Sequence, residues 1–211
     1  MVTTKTIETM KKTLYRTLFF GLAALLFTGC GLDLQKNYDY ESSVADPHVN
    51  VVAWEYFQDH PDIFSEFTEA IEYTGLKDYY TQTENKYTFL ALNNTAMQSY
   101  RDNVFPGETS ITNCDRETVK NMLLYHIVDG EYSSYGELQV EAMFVLTLLP
   151  GERGLMTMSV WKNPWQAAVG KILVNETGSN GKSPQRNAKT SNILPTNGVI
   201  HIFEKYCYYQ Q

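Results

Sequence analysis

Thr196-Asn197-Gly198-Val199-Ile200-His201-Ile202-Phe203 reads as a tight turn that feeds a strand rich in β-branched residues. Asn197-Gly198 supplies the positive backbone angles such a turn requires. Alternation then sets Val199, His201 and Phe203 on one face and Ile200 and Ile202 on the other. Far upstream, Tyr87-Thr88-Phe89-Leu90-Ala91-Leu92 is a second compact apolar strand, and Asn93-Asn94-Thr95 behind it supplies side chains to cap a short helix. Residues 142–150 (AMFVLTLLP), 155–161 (LMTMSVW) and 171–176 (KILVNE) have the same strand character, separated by PGERG and NPWQAAVG. A long polar loop comes after them.

The first half of the domain reads differently. Ile63, Phe64, Phe67, Ala70 and Ile71 recur at helical period, with Pro61 near the start and Gly75 near the end. Val51, Val52, Trp54, Tyr56 and Phe57 form a shorter helix before it. Asp115 is placed to cap another helix, which carries Val119, Met122, Leu123 and His126 on one face and has Gly130 after its end. Helices first and strands later in one short chain predict an α+β fold, and no internal repeat is visible.

Three segments, in this order, resemble the fasciclin (FAS1) domain, a module of adhesion proteins. Residues 87–97 are similar to its first signature, a strand reading roughly Thr-hydrophobic-Phe-Ala-Pro-Thr-Asn before a small helix. Leu92 stands where the proline is usual, and the Thr-Asn pair is altered at Asn94. Leu123-Leu124-Tyr125-His126-Ile127-Val128-Asp129-Gly130 is similar to the central element, and residues 196–203 match the second signature. The resemblance covers about residues 48–209. It implies a wedge of antiparallel and mixed sheets, with helices contributed mainly by the first half, and a non-catalytic role in adhesion or binding. It also marks Tyr125, His126, Asn197, Gly198 and His201 as family-motif positions. From the residues alone, His126 and His201 read as packed histidines with satisfied ring nitrogens; a ligand or proton-relay role is the alternative, without a metal partner at i+3 or i+4.

Residues 10–30 (MKKTLYRTLFFGLAALLFTGC) carry a basic start at Lys11, Lys12 and Arg16, an apolar core from Leu18 to Phe27, and Thr28-Gly29 before Cys30. This is a secretory signal, and it resembles the bacterial lipoprotein signal, in which Cys30 would receive the acyl chains. Met10 is the more natural start. The expected organisation is a signal peptide over residues 1–29, a lipidated acidic tether over 30–47, and one domain over 48–211. Gly31 leaves the position after the cysteine without an acidic residue, so the outer membrane is the expected location, facing the cell surface or the periplasm. Such lipoproteins are similar to accessory components of the outer-membrane systems by which gut Bacteroidetes capture glycans.

The whole chain has 17 basic and 24 acidic residues and a formal charge of −7. Loss of Lys5, Lys11, Lys12, Arg16 and Glu8 with the signal takes the remainder to −10. A chain this acidic lacks the cationic clusters that nucleic acid or anionic lipid requires; the membrane contact must come from the lipid. The densest basic stretch, residues 182–189, reads as a solvated loop. With Cys30 assigned to lipid, Cys114 and Cys207 are a candidate pair for one disulfide, which spacing alone does not decide.

The four histidines are scattered, and HExxH, GxSxG, P-loop and GxGxxG patterns are absent. No enzyme, cofactor or metal is therefore expected. The candidate binding residues are Trp161 and Trp165, which flank a turn at Pro164 and offer flat faces to a polysaccharide or to a partner in an envelope complex. Their alternative is to fold back over a sheet edge.

Overall fold

In the computed structural model, residues 11, 13, 15, 46–136, 138–161, 170–177 and 183–208 are described. The expected signal segment apart from three positions, Cys30, the expected tether up to residue 45, and Trp165 lie outside them. Residues Met1–Ala45 and Asp46–Gln211 form separate units, and the second holds both sheets and the helices packed on them.

The chain order of the second unit is α1 (Ala53–Asp59), α2 (Pro61–Thr74), α3 (Lys77–Thr81), β1 (Tyr87–Leu92), α4 (Asn94–Val104), α5 (Arg116–Tyr125), β2 (Ile127–Asp129), β3 (Met143–Leu146), β4 (Leu155–Trp161), β5 (Lys171–Val174), β6 (Arg186–Asn187), β7 (Thr190–Ile193) and β8 (Gly198–Phe203). Short 3-10 turns at Ile111–Asn113 and Glu152–Gly154 complete it. The architecture is α+β, with helices in the first half and two four-stranded sheets, one mixed and one antiparallel.

The helices end where their residues dictate. Pro61 occupies the first turn of α2, where a missing N–H costs nothing. Gly75, at φ 74°, turns the chain left-handed at the other end, so that Leu76 N–H reaches Ile71 O at 3.1 Å. Asn93 caps α4 by accepting from Ala96 N–H at 2.9 Å, and Asp115 caps α5 by accepting from Thr118 N–H at 2.9 Å. Phe57, Phe64, Phe67, Tyr80 and Phe89 join the helical layer to β1 through ring contacts, with Tyr80 stacked on Phe89 at 5.0 Å between centroids.

The first sheet runs β2-β1-β8-β7 and the second β3-β4-β5-β6. β1 and β8 are parallel, with Tyr87 opposite Gly198 and Leu92 opposite Phe203; the other strand pairings are antiparallel. Every residue of β1 and β8 is buried, which is how a parallel central pair covered on both sides should read. The described domain begins slightly before position 48, since Leu194 N–H donates to Pro47 O at 2.9 Å.

Three expectations are corrected. Gly130 does not close a helix: α5 stops at Tyr125, and Ile127–Asp129 pairs with β1 as β2. The stretch read as a solvated basic loop contains β6, and β7 comes at once after it, though Lys182 itself lies outside the described residues. Of the Asn197-Gly198 pair, only Gly198 has a positive φ, at 149°.

Candidate functional site

Asn197 explains itself by its amide rather than by turn geometry. Its side chain is buried, its Oδ1 accepts from Ala53 N–H at 2.8 Å, and its Nδ2 donates to Tyr80 O at 2.9 Å and Gln82 O at 3.2 Å. One residue before β8 thus brackets the start of α1 and the end of α3. Truncation would leave a buried donor and two carbonyls without this partner. Asn197→Ala is therefore expected to cost about 2–4 kcal/mol of stability, measured as a lower urea midpoint; a loss under about 1 kcal/mol would show the bracket to be dispensable.

The two motif histidines are held in the same manner. His201 lies on β8, and its Nε2–H donates to Tyr132 O at 2.8 Å while its Nδ1 accepts from Asn192 N–H at 3.1 Å. The acceptor at Nδ1 is reached because β7 slips by one residue between Thr190 and Ile193, with Asn192 left-handed at φ 63°. The Asn192 side chain continues outward to Ser134, through N–H at 3.0 Å and Oγ at 2.6 Å. His126 comes directly after α5, and its Nδ1–H donates to Met122 O at 2.8 Å. A carbonyl at Nδ1 fixes the proton there, so Nε2 accepts from Cys207, whose Sγ is 3.3 Å away and whose N–H is 3.4 Å away. Burial outweighs these bonds and pulls both histidines down to about pKa 4, so both rings are neutral.

The same burial pushes the Cys207 thiol up to about 12. A neutral thiol facing a neutral imidazole, with no solvent access, is a contact that pins the C-terminal segment to α5; it lacks the thiolate that nucleophilic chemistry needs. The candidate Cys114–Cys207 disulfide is not formed, because both are buried free thiols aimed at separate partners: Cys207 at His126, and Cys114 at Ser110 O, 3.5 Å away. Tyr125 completes the set, its hydroxyl lying 3.0 Å from Asn175 Nδ2 and tying α5 to the end of β5 in the second sheet.

Trp161 stands elsewhere. It ends β4 opposite Lys171 and is 55% exposed. Its expected companion Trp165 lies outside the described residues. By alternation Trp161 shares a face of the second sheet with Leu155, Thr157 and Ser159, of which Thr157 and Ser159 are themselves buried. Across the β3–β4 ladder that face also carries Phe144 opposite Thr157 and Leu146 opposite Leu155. Phe144 is 61% and Leu146 63% exposed, whereas Met156, Met158, Val160, Ile172 and Val174 on the inner face are fully covered. Leu173, half-buried, stands opposite Ser159 on this face, and Trp161 lies roughly 13 Å along β4 from Thr157 at about 3.3 Å per residue. Sequence carries a signal for Phe144 and Leu146. In the apolar run of β3, alternation puts Met143 and Val145 on the inner face and Phe144 and Leu146 on the outer one.

The described residues hold no group of three or more His, Cys, Asp and Glu side chains suited to a metal ion, and no helix among them is long and apolar enough to cross a membrane. The side chains shared with the signatures hold helices, sheets and C-terminus together; what remains to meet other molecules is surface. The Fasciclin domain matches residues 62–207, more than half of the chain, and the chain belongs to that family. Human periostin is 27% identical over 150 residues, a match that spans 69% of this chain but only 14% of periostin. A FAS1 domain pair from the insect cell adhesion molecule fasciclin I superposes with a TM-score of 0.51 at 13% identity, covering 74% of this chain and 50% of that one. Fasciclin domains are associated with adhesion and binding and are generally non-catalytic.

Proposed function

We propose that this protein is a non-catalytic binding lipoprotein of the outer membrane, tethered through Cys30, whose fasciclin domain docks a protein of an envelope complex on the outer face of its second sheet. The observation that carries this reading is the strip of Phe144, Leu146 and Trp161, large apolar side chains left more than half exposed on one sheet face. Isolated exposed apolar residues are ordinary, but Phe144, Leu146 and Trp161 on one face, with Leu155 and Leu173 on the same face, are what a protein interface covers. The aliphatic members favour a protein over a sugar, because sugar platforms are built from flat rings with polar groups beside them.

The discriminating experiment compares the native complex in mild detergent with its Phe144→Ser/Leu146→Ser variant. The wild type is expected to migrate with a specific envelope partner, also after glycosidase treatment. The variant is expected to migrate alone while melting within about 2 °C of the wild type, as exposed positions should. A wild type recovered alone, or a variant that keeps its partner, would overturn the docking reading. Trp161 favours a second reading, polysaccharide capture at this face. It predicts that Trp161→Ala abolishes retardation in polysaccharide affinity gels without lowering the melting temperature; a destabilised variant would instead make the ring a structural cover.

A further inference from the structure

A second surface, on the seam between the two sheets, has the opposite chemistry. Lys171 at the start of β5, Arg186 and Asn187 of β6, Lys189, and Glu204 and Lys205 just past β8 line an open cleft of about 450 Å³. We propose that this cleft binds an anionic polysaccharide, with carboxylate or sulfate groups of the chain seated against Lys171, Arg186 and Lys205.

Four cations and one carboxylate meet here on a chain whose 24 acidic residues outnumber its 17 basic ones. The cations are distant in sequence and are brought together by backbone pairing. Ala188 N–H donates to Ile172 O of β5 at 2.8 Å, and Lys189 N–H donates to Ile202 O of β8 at 2.7 Å, so two consecutive residues stitch the sheets at the floor of the cleft. Arg186 is set in place without being neutralised: its Nε donates to Tyr206 O at 2.8 Å and its NH1 to Gln185 O at 2.9 Å, both uncharged acceptors. Lys189 is the cation already answered, by Glu204 at 3.3 Å. Among the described residues neither Lys171, Lys205 nor Arg186 has a carboxylate within ion-pair distance, so three placed positive charges await a counter-charge.

The volume suits one or two sugar rings, at the small end of ligand sites, and the open form lets a polymer pass through. The amides of Gln185 and Asn187 supply neutral hydrogen-bonding groups beside the charges, as hydroxyl-bearing sugars require. Among the described residues no aromatic side chain lines the cleft, so stacking of nucleic acid bases has no platform.

The test uses the whole chain in detergent and measures its retardation in native gels containing polygalacturonate, dextran sulfate, neutral dextran or single-stranded DNA. At least one of the two anionic polysaccharides should retard the protein, with an effect that fades as salt rises, while dextran and DNA should not. Retardation by polygalacturonate alone would identify a uronate-type ligand, and by dextran sulfate alone a sulfated one; either supports the proposal. Lys171→Gln/Lys205→Gln should weaken binding about tenfold or more. Lys77→Gln/Lys120→Gln, with the same net charge but on the helices, should leave it unchanged, as should Phe144→Ser/Leu146→Ser, which separates this site from the docking face. Failure of both polyanions, equal binding by the Lys171/Lys205 variant at an unchanged melting temperature, or equal binding of DNA would overturn the proposal.

Discussion

Gly198→Ala is expected to abolish the native fold or to lower its melting temperature by about 8 °C or more. A Cβ at this position would lie 1.9 Å from the carbonyl oxygen of Tyr87 and 2.9 Å from its carbonyl carbon, and neither backbone atom can rotate away. Tyr87 and Gly198 are the first opposed pair of the parallel β1–β8 ladder, so the only relief is to part the two central strands of the first sheet. The backbone angle adds to the clash, since φ of 149° is a region that residues with a Cβ avoid. Strain of about 1–3 kcal/mol and overpacking of a similar size together make a loss on the order of 4 kcal/mol. At roughly 2–4 °C per kcal/mol for a domain of this length, that gives the stated shift in a calorimetric or circular-dichroism melt. Gly107→Ala is the control: its φ is also positive, at 97°, but its Cβ would meet nothing within 4 Å. If Gly198→Ala melts no lower than Gly107→Ala, the close approach is not what the glycine serves.

The sequence discloses those parts of the fold whose stability comes from their own residues. β1, β4 and β8 are apolar, β-branched or aromatic runs; the bounds of β1 and β4 coincide with what composition predicts, while β8 stops at Phe203, before the Glu204-Lys205-Tyr206 that the strand reading included. The Pro61 and Gly75 boundaries of α2 and the Asp115 cap of α5 are legible for the same local reason. β2, β6 and β7 are not. Arg186–Asn187 and Thr190–Ile193 are polar, and they are strands because β5 and β8 offer them partners, not because of an apolar pattern. Asn192 sits in a left-handed bulge that no periodicity announces, yet it supplies the N–H that satisfies His201. Asn197 reads from sequence as a turn residue, while its three amide hydrogen bonds reach 115 to 144 residues back along the chain. The surfaces are hidden for a like reason: Lys171, Arg186 and Lys205 become neighbours only when β5, β6 and the exit of β8 are folded.

Acid should strongly destabilise this domain between about pH 6 and pH 4, and the two buried histidines are the cause. Each has its folded pKa pulled from 6.5 to about 4, first by burial, with the bonds to Met122 O and Tyr132 O opposing it. Between those values the unfolded chain binds a proton at each site and the native protein does not. Stability is therefore fully present above about pH 6.5 and is lost as pH falls towards 4. One such histidine loses on the order of 3 kcal/mol by pH 4, and two lose about 6, against a typical total of 5–15 kcal/mol. The Asp115 cap cannot produce this window, because its carboxyl is lowered below 3.8 by its bonds to Thr118 and acts only at stronger acid. Urea unfolding at a series of pH values should show a slope near pH 5 corresponding to about two protons taken up on unfolding, roughly 2.7 kcal/mol per pH unit. In His126→Gln, at whatever reduced stability, the slope should fall to about one proton, because only His201 then titrates between the two states. A free energy that stays flat from pH 7 to pH 5 would mean that neither ring is held neutral by the fold, and a variant slope equal to that of the wild type would mean that His126 is already protonated in the fold. Its Nε2 would then donate to the Sγ of a still-protonated Cys207, a charge-assisted hydrogen bond in place of the neutral contact.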